Sequence, residues 1–393
     1  MKPIPYGRQH ITDADIQAVV ETLQSDFLTQ GPKVAEFEKA FAEYIGADYA
    51  VAVANGTAAL HLCALALGVT AGTRVITTPI TFAASANCIK YADGEIYFAD
   101  VDPETALMDI QKVKALIESK PKGYFSGLIP VDFAGYPVDL EAFRALANQH
   151  NLWIIEDACH APGGYFVDTA GQAQRCGNGQ FADLAIFSFH PVKHIATGEG
   201  GMITTNRRDL YEKLLLLRTH GITKNPEQLH QNHGGWYYEM QELGYNYRMP
   251  DMLTALGISQ LKRADAGLQR RKEIAHQYDT AFFTHPQIKI LNPAVYRNTE
   301  PGKEILHAYH LYVILVEDRK GLYDYLKANQ IYAQVHYIPV HTMPYYQNLG
   351  FKQGDYPVAE GYYEKCLSLP MFPGLQPTEQ DFVIAKVLEF IGR

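Results

Sequence analysis

The sequence predicts an α/β fold: a large, mostly parallel-sheet domain over residues 1–250 and a smaller α+β domain over 251–393. Three observations predict it. Short apolar, β-branched runs alternate with helical segments from about residue 49 to residue 205, the pattern of right-handed crossovers in a parallel sheet. Near residue 250 that alternation gives way to one long helical stretch followed by a shorter strand–helix set. The chain has 393 residues, enough for two cores.

The elements follow in order. "DADIQAVVETLQ" takes helical spacing behind Thr12, an N-cap residue, and "KVAEFEKAFAEYIG" ends on Gly46, a C-cap. "YAVAVANGTAALHLCALALGV" is a strand, a turn at Asn55-Gly56-Thr57 and an Ala/Leu-rich helix. Then come the strand "RVITTPI", the helix "FAASANCIKYA", the strand "EIYFADVD" and a helix around "ALMDIQKVKALIESK". The strand "FSGLIPVDF", the helix "DLEAFRALANQHN" and the strand "LWIIEDA" continue the pattern, and "LAIFSFH" and "GGMITTN" add two strands. Residues 164–181 predict a hairpin or a short excursion over the sheet. Beyond residue 250 the sequence predicts one long helix to about Phe283, the strand "HAYHLYVILV", the helix "RKGLYDYLKANQ", the strand "YAQVHYIPV" and a last helix near "EQDFVIAKVLEFI". Trp153 and Trp236 are expected to be structural.

Composition narrows the function. A hydrophobic share of 47% and a charged share of 20% belong to an ordinary globular protein. A net charge of -9 argues against nucleic-acid binding, which needs a basic surface. No secretory signal and no apolar run of membrane-spanning length is found. The five cysteines are scattered, without a CxxC pair, so neither a disulfide framework nor a zinc site is expected. The expectation is a cytoplasmic protein with no metal and no membrane partner.

Four stretches could carry chemistry. In "ANGTAAL" the N–H groups of Gly56, Thr57 and Ala58 open a helix and, with the Thr57 hydroxyl, can cradle a phosphate; an ordinary strand–helix turn explains the same residues. In "WIIEDACHAPG" a strand ends on Glu156-Asp157, with His160 just behind. Asp157 can pair with a buried cation or cap a helix. "IFSFHPVKHIATGEGGMITTN" places Ser188, His190, Lys193 and His194 on a Gly-rich turn between strands. A lysine that loses solvent beside another cation loses its proton and becomes a nucleophile toward an aldehyde. Phe82, in "TTPITFAASAN", can stack on a flat ring or fill a core. A phosphate cradle, a stacking aromatic, a strand-end aspartate and a later lysine together meet the needs of pyridoxal 5'-phosphate.

Those motifs also carry a resemblance. "NGTAAL", "PITFAASAN", "VDFAGYPVDL", "IEDACHAPG", "FSFHPVKHIATGEGGM" and "LGYNYRMPD", in this order and nearly end to end, resemble the DegT/DnrJ/EryC1/StrS sugar aminotransferases. The resemblance implies a fold-type-I enzyme in which Lys193 links to the cofactor and moves protons. It implies that Asp157 binds the ring nitrogen, His160 lies by the ring hydroxyl and Phe82 stacks. Gly56, Thr57, Ala58 and Ser188 would hold the phosphate, joined by Asn246 from the other subunit of a homodimer. The pyridoxamine phosphate form would carry the amino group between half-reactions. Within the family, "SDFLTQGP", "RTHGITK" and "YAQVHYIPVHTMPYY" resemble the branch serving pseudaminic acid synthesis and flagellin glycosylation. That branch implies L-glutamate as donor, 2-oxoglutarate as its product and a UDP-linked 4-keto-6-deoxy-N-acetylhexosamine as acceptor. Tyr6, Asp26, Phe27, Leu28, Thr29, Arg248, Gln334, Val335, His336 and Tyr337 would line the nucleotide-sugar pocket. Some relatives carry Gln where His160 stands, and the stretch around "DTAGQAQRCGNG" is longer than in many. Rival readings are another nucleotide keto-sugar (GDP- or dTDP-linked), a cofactor-binding regulator without turnover, and a remote metal hydrolase built on His230 and His233.

Overall fold

The computed structural model describes residues 2–292 and 304–392. The chain enters through a two-residue strand, β1 (Ile4–Pro5), and two helices, α1 (Asp13–Leu23) and α2 (Pro32–Ile45). Thr12 caps α1 as expected, its N–H donating to Asp15 Oδ2 at 2.8 Å. Gly46 ends α2 at φ 85°, where a side chain would be strained.

The predicted alternation then appears in order. It runs β2 (Tyr49–Val53), α3 (Gly56–Ala66), β3 (Arg74–Thr77), α4 (Ala84–Tyr91), β4 (Glu95–Phe98), α5 (Ile110–Glu118), β5 (Gly127–Ile129), α6 (Leu140–His150) and β6 (Trp153–Asp157). A hairpin, β7 (Tyr165–Val167) and β8 (Ala173–Arg175), precedes β9 (Leu184–Ser188), β10 (Gly201–Thr205) and α7 (Arg208–Arg218). Seven strands form one sheet in the order β2-β10-β9-β6-β5-β3-β4, with β10 antiparallel to both neighbours and the other pairings parallel. The carboxyl ends of β6 and β9 therefore open on one edge, beside the start of α3. Ligands bind at such an edge in open parallel sheets.

Beyond β11 (Ile222–Thr223) and β12 (Glu239–Met240) the sequence expectation needs a correction. The long helix is two, α8 (Asp251–Leu261) and α9 (Ala264–Phe282). No Gly or Pro marks the break. Arg263 leaves helical geometry at φ -121°, and its guanidinium binds the Asp15 carboxylate and the His10 carbonyl. Further on lie β13 (Lys289–Ile290), β14 (Ile305–Leu306), β15 (Tyr312–Leu315), α10 (Arg319–Ala328), β16 (Ile331–Tyr332), α11 (Pro344–Gln347), α12 (Pro357–Lys365), β17 (Cys366–Leu369) and α13 (Pro377–Ile391). The strand expected over "YAQVHYIPV" shrinks to β16; beyond it Gln334 alone pairs with Ser368, and Pro339 has no N–H to give. β1 pairs in parallel with β16, and Ile4 joins the core built by α9, α10, β15 and α13. The N-terminal segment is thereby tied to the C-terminal elements.

Trp153 is half-buried, and a Cβ on Gly127 would lie 2.2 Å from its ring. Trp236 departs from expectation: it is 75% exposed and holds no core. All five cysteines are free. Among the described residues no helix is long and apolar enough to cross a membrane.

Behind the sheet edge lies a buried acidic pair. One ligand atom each from Asp132, Glu156 and Cys176 lies within 4.8 Å of the others, and Asp132 and Glu156 are at most 1% exposed. Asp132 Oδ1 accepts the Val138 N–H at 2.9 Å, while its Oδ2 has no partner among the described residues. Both Glu156 oxygens accept the Gly177 N–H at 2.9 Å. Burial, with no cation at hand, pushes Asp132 up to about 7 and Glu156 well above the carboxylate range. The native chain thus holds a proton that the unfolded chain releases near pH 4, so this contribution is complete below about pH 4 and is lost as pH rises through about 7. Asp132→Asn supplies a permanent N–H donor in its place. Urea unfolding from pH 4 to 8 is expected to show a flatter stability profile for Asp132→Asn than for the parent; parallel profiles would remove the retained proton.

Candidate active site

Three chain segments meet at the sheet edge. The first is the β2–α3 turn. Asn55 caps α3, its side-chain oxygen accepting the Ala58 N–H at 2.8 Å. That corrects the phosphate-cradle expectation at one point: the Ala58 N–H is already engaged, leaving Gly56 and the half-buried Thr57 as the unengaged start of the helix. Gly56 is required by contact. A Cβ there would lie 3.0 Å from Ser188 Cβ, and Ser188 pairs across the sheet with Gly201.

The second segment ends β6. Asp157 is 5% exposed; Ser85 Oγ donates to its Oδ2 at 2.7 Å and the Cys159 N–H to its Oδ1 at 3.2 Å. A carboxyl fixed by two donors presents a positioned acceptor, suited to an N–H⁺ partner. The cap alternative fails, because Asp157 ends a strand and no helix starts there. Ser85 was not legible as a site residue: a serine in "FAASAN" carries no signal until α4 aims it at β6.

The third segment holds Lys193, half-buried in the turn after β9, its N–H donating to the His190 carbonyl at 2.8 Å. Burial lowers its amine below the ordinary lysine value; Cys159 and Asp157 oppose the shift and the Arg271 guanidinium adds to it. The sequence gives no hint of Arg271, flanked by Arg270 and Lys272 like a solvated face. It is 1% exposed, and its Nη1 donates to the carbonyls of Tyr309, His310 and Met371 at 3.0 to 3.3 Å. Burial brings it down to about 10.

Aromatic and imidazole rings close the site. His160 Nε2 lies 3.2 Å from the Tyr337 hydroxyl, and its ring centroid 4.2 Å from that of His310. His160 Nδ1 is buried without a partner among the described residues. Phe82 is 62% exposed, so the core alternative falls; its ring lies 6.3 Å from Tyr337. His336 bonds Ser368 Oγ through Nδ1 at 2.9 Å and packs 5.1 Å from Tyr6.

Other expected residues lie apart. Gln334 is exposed and Val335 half-buried against the core. Asp26, Phe27, Leu28 and Thr29 form an exposed loop anchored by Asp251, whose N–H donates to the Leu28 carbonyl at 3.0 Å. Asn246 is exposed, its backbone bridged to Thr219. Arg248 is bridged to Val53, with a buried Nε that has no partner among the described residues. No hydrogen bond or ring contact among the described residues joins these to Lys193 or Asp157. His230 pairs with Glu239 at 2.8 Å, and neither His230 nor His233 joins the metal-capable group found among the described residues.

Comparison with known proteins gives the arrangement its relatives. The model of the DegT/DnrJ/EryC1/StrS aminotransferase family matches residues 9–388. The chain belongs to that family. It is 40% identical to the spore coat polysaccharide biosynthesis protein SpsC of Bacillus subtilis, over 99% of this chain and 97% of the relative. It is 36% identical to the UDP-4-amino-4,6-dideoxy-N-acetyl-beta-L-altrosamine transaminase of Campylobacter jejuni, over 97% and 95%, and 34% identical to GDP-perosamine synthase of Escherichia coli O157:H7, over 99% of each. Among solved structures, Helicobacter pylori PseC, an aminotransferase of pseudaminic acid biosynthesis, superposes with a TM-score of 0.87 at 30% identity over 100% of both chains. The putative sugar aminotransferase Spr1654 of Streptococcus pneumoniae, in its PLP-form, gives 0.86 at 30% over 99% of both. As a DegT/DnrJ/EryC1/StrS member the chain is a fold-type-I aminotransferase of class EC 2.6.1, and pyridoxal phosphate is its cofactor. The residues fit that group: a buried acceptor carboxylate, a lysine with a lowered amine, and an unpartnered His160 nitrogen share one edge.

Burial holds four nearby imidazoles neutral. His160, His194 and His310 lie well below the usual histidine value, and His336 comes down to about 3, with Lys193 adding to burial in each case. The unfolded chain takes up these protons near pH 6.5, so their contribution is complete above that pH and is lost as pH falls toward the depressed values. NMR titration of labelled imidazoles is expected to leave these four neutral at pH 6; a signal from His160 or His336 titrating near 6.5 would contradict the packing.

Proposed function

We propose that the enzyme moves an amino group from L-glutamate to C4 of a UDP-linked 4-keto-6-deoxy-N-acetylhexosamine. The products are 2-oxoglutarate and UDP-4-amino-4,6-dideoxy-N-acetyl-β-L-altrosamine, a step toward pseudaminic acid and flagellin glycosylation. The observation that carries the chemistry is the half-buried Lys193, its amine lowered by burial, beside the hydrogen-bonded acceptor Asp157. The choice of sugar is supported by the names of the Campylobacter relative and of PseC.

Pyridoxal phosphate, when bound, supplies an aldehyde that accepts the amino group and a ring that takes up an electron pair. The chain does the rest. Lys193, its amine lowered by burial, takes a proton from the α-carbon of the donor and later gives one to C4 of the sugar. Asp157, fixed by Ser85 and the Cys159 N–H, holds a proton on the ring nitrogen. His160, steadied by Tyr337, serves the ring hydroxyl, and Phe82 is the stacking face. Thr57, Gly56 and Ser188 are the phosphate contacts at the start of α3. Exposed Asn246 and the 26–29 loop would serve the active site of a partner subunit, which makes the working unit a homodimer. Tyr6, Arg248 and residues 334–337 would face the nucleotide sugar, with Arg248 on the diphosphate. Five free cysteines suit a reducing cytoplasm.

A second acceptor is favoured by a specific observation: a GDP-perosamine synthase stands at 34% identity, close to the Campylobacter transaminase at 36%. Release of 2-oxoglutarate from L-glutamate, measured with UDP-, GDP- and dTDP-linked 4-keto-6-deoxy sugars, separates the two. The UDP-N-acetyl sugar is expected to react at least about tenfold faster, and an equal or better GDP-sugar would replace it. Lys193→Ala is expected to lose about 10²–10⁴-fold in rate; unimpaired turnover would overturn the chemistry itself.

A further inference from the structure

Beside Lys193 lies a cavity of about 220 Å³, walled by Arg8, Lys193, His194, Gln260, Arg263 and Arg270. The N-terminal segment is pressed against the lysine turn to form it. A Cβ on Gly7 would lie 3.3 Å from Val192 Cβ. The Tyr6 carbonyl accepts the Met371 N–H at 2.8 Å, and the His10 carbonyl accepts Gln260 Nε2 at 3.1 Å. Arg8 lies between those anchors and is exposed.

The charges in this cavity are unequal. Arg263 is paired with Asp15, and Arg270 with Glu273 at 3.1 Å and with the Leu375 carbonyl at 3.0 Å. His194 is neutral through burial. Arg8 has no ion pair or hydrogen bond among the described residues and carries the uncompensated guanidinium. Its fork matches a carboxylate bidentately. The volume is below the roughly 300–1,000 Å³ of pockets for larger ligands, so it suits a short dicarboxylate and not a whole nucleotide sugar.

We infer that this cavity receives the far carboxylate of the amino donor and that Arg8 is the residue selecting a dicarboxylic donor. The inference rests on the proposed reading of the chain as a glutamate-consuming aminotransferase. Arg8 and Lys193 line the same cavity, so the donor's amino end would lie toward the lysine. An amino acid lacking the second carboxylate would leave the Arg8 guanidinium to solvent and forgo that contact.

Two measurements on the holoenzyme test it. Calorimetric binding of glutarate, a dicarboxylate with no amino or keto group, is expected to weaken about tenfold or more in Arg8→Ala, less in Arg8→Lys, with UDP binding unchanged. The preference for L-glutamate over L-alanine, as a ratio of kcat/KM, is expected to fall by a similar factor through KM while kcat holds. A lost packing contact would not move that ratio. Glutarate binding that is equal in parent and Arg8→Ala, or a loss confined to UDP, would overturn the inference; the second result would assign the cavity to the nucleotide's diphosphate. Failure of L-glutamate to react, with Arg8-dependent glutarate binding intact, would instead sink the glutamate-donor reading.

Discussion

Consecutive side chains of a strand face opposite ways, and at the end of β6 that alternation is the constraint on which the site depends. Glu156 turns to the buried pair with Asp132, and Asp157 turns to the edge where Ser85 and the Cys159 N–H fix it. Two ionised carboxylates so close in a core would be costly. Burial raises both Asp132 and Glu156, so protonation of that pair lowers the negative charge behind Asp157. The Asp132 N–H also donates to the Asp157 carbonyl at 3.1 Å, so the two groups share one stretch of backbone.

On the other side of the edge the electrostatic design is the reverse. Lys193 sits among groups that burial keeps uncharged: the His160, His194, His310 and His336 imidazoles and the Cys159 thiol. The buried cation nearby is Arg271, held by three carbonyls and not by a carboxylate. A buried guanidinium with that partner set favours a neutral amine at Lys193, while Asp157 opposes it. The balance between burial with Arg271 and the opposing aspartate sets how readily the lysine exchanges protons.

Much of this was legible in the sequence, for reasons that can be named. Short apolar runs separated by Gly and Asn turns gave the sheet strands their places, because a two-faced buried strand tolerates little else. Asp157 stood out because it ends a strand, and Lys193 and Phe82 because they follow strands, on the side where the parallel topology collects ligands. Local pattern failed where tertiary contacts decide. Arg263 breaks a helix with no Gly or Pro, through bonds to Asp15 and His10 far away in sequence. Arg271 looks solvated among charged neighbours and is buried. Ser85, His310 and the Asn55 cap on Ala58 became visible with the packing of α3 and α4 against the sheet. The loop at 26–29 and Asn246 stay outside the cluster in a single chain.

The central claim is that Lys193 is the residue to which the cofactor is attached. Reducing the pyridoxal-phosphate-loaded protein with borohydride and mapping its peptides by mass tests this without relying on turnover. The account predicts one pyridoxyl mass increment, on the peptide containing Lys193, and none in Lys193→Ala. An increment on another lysine, or its persistence in Lys193→Ala, would contradict it.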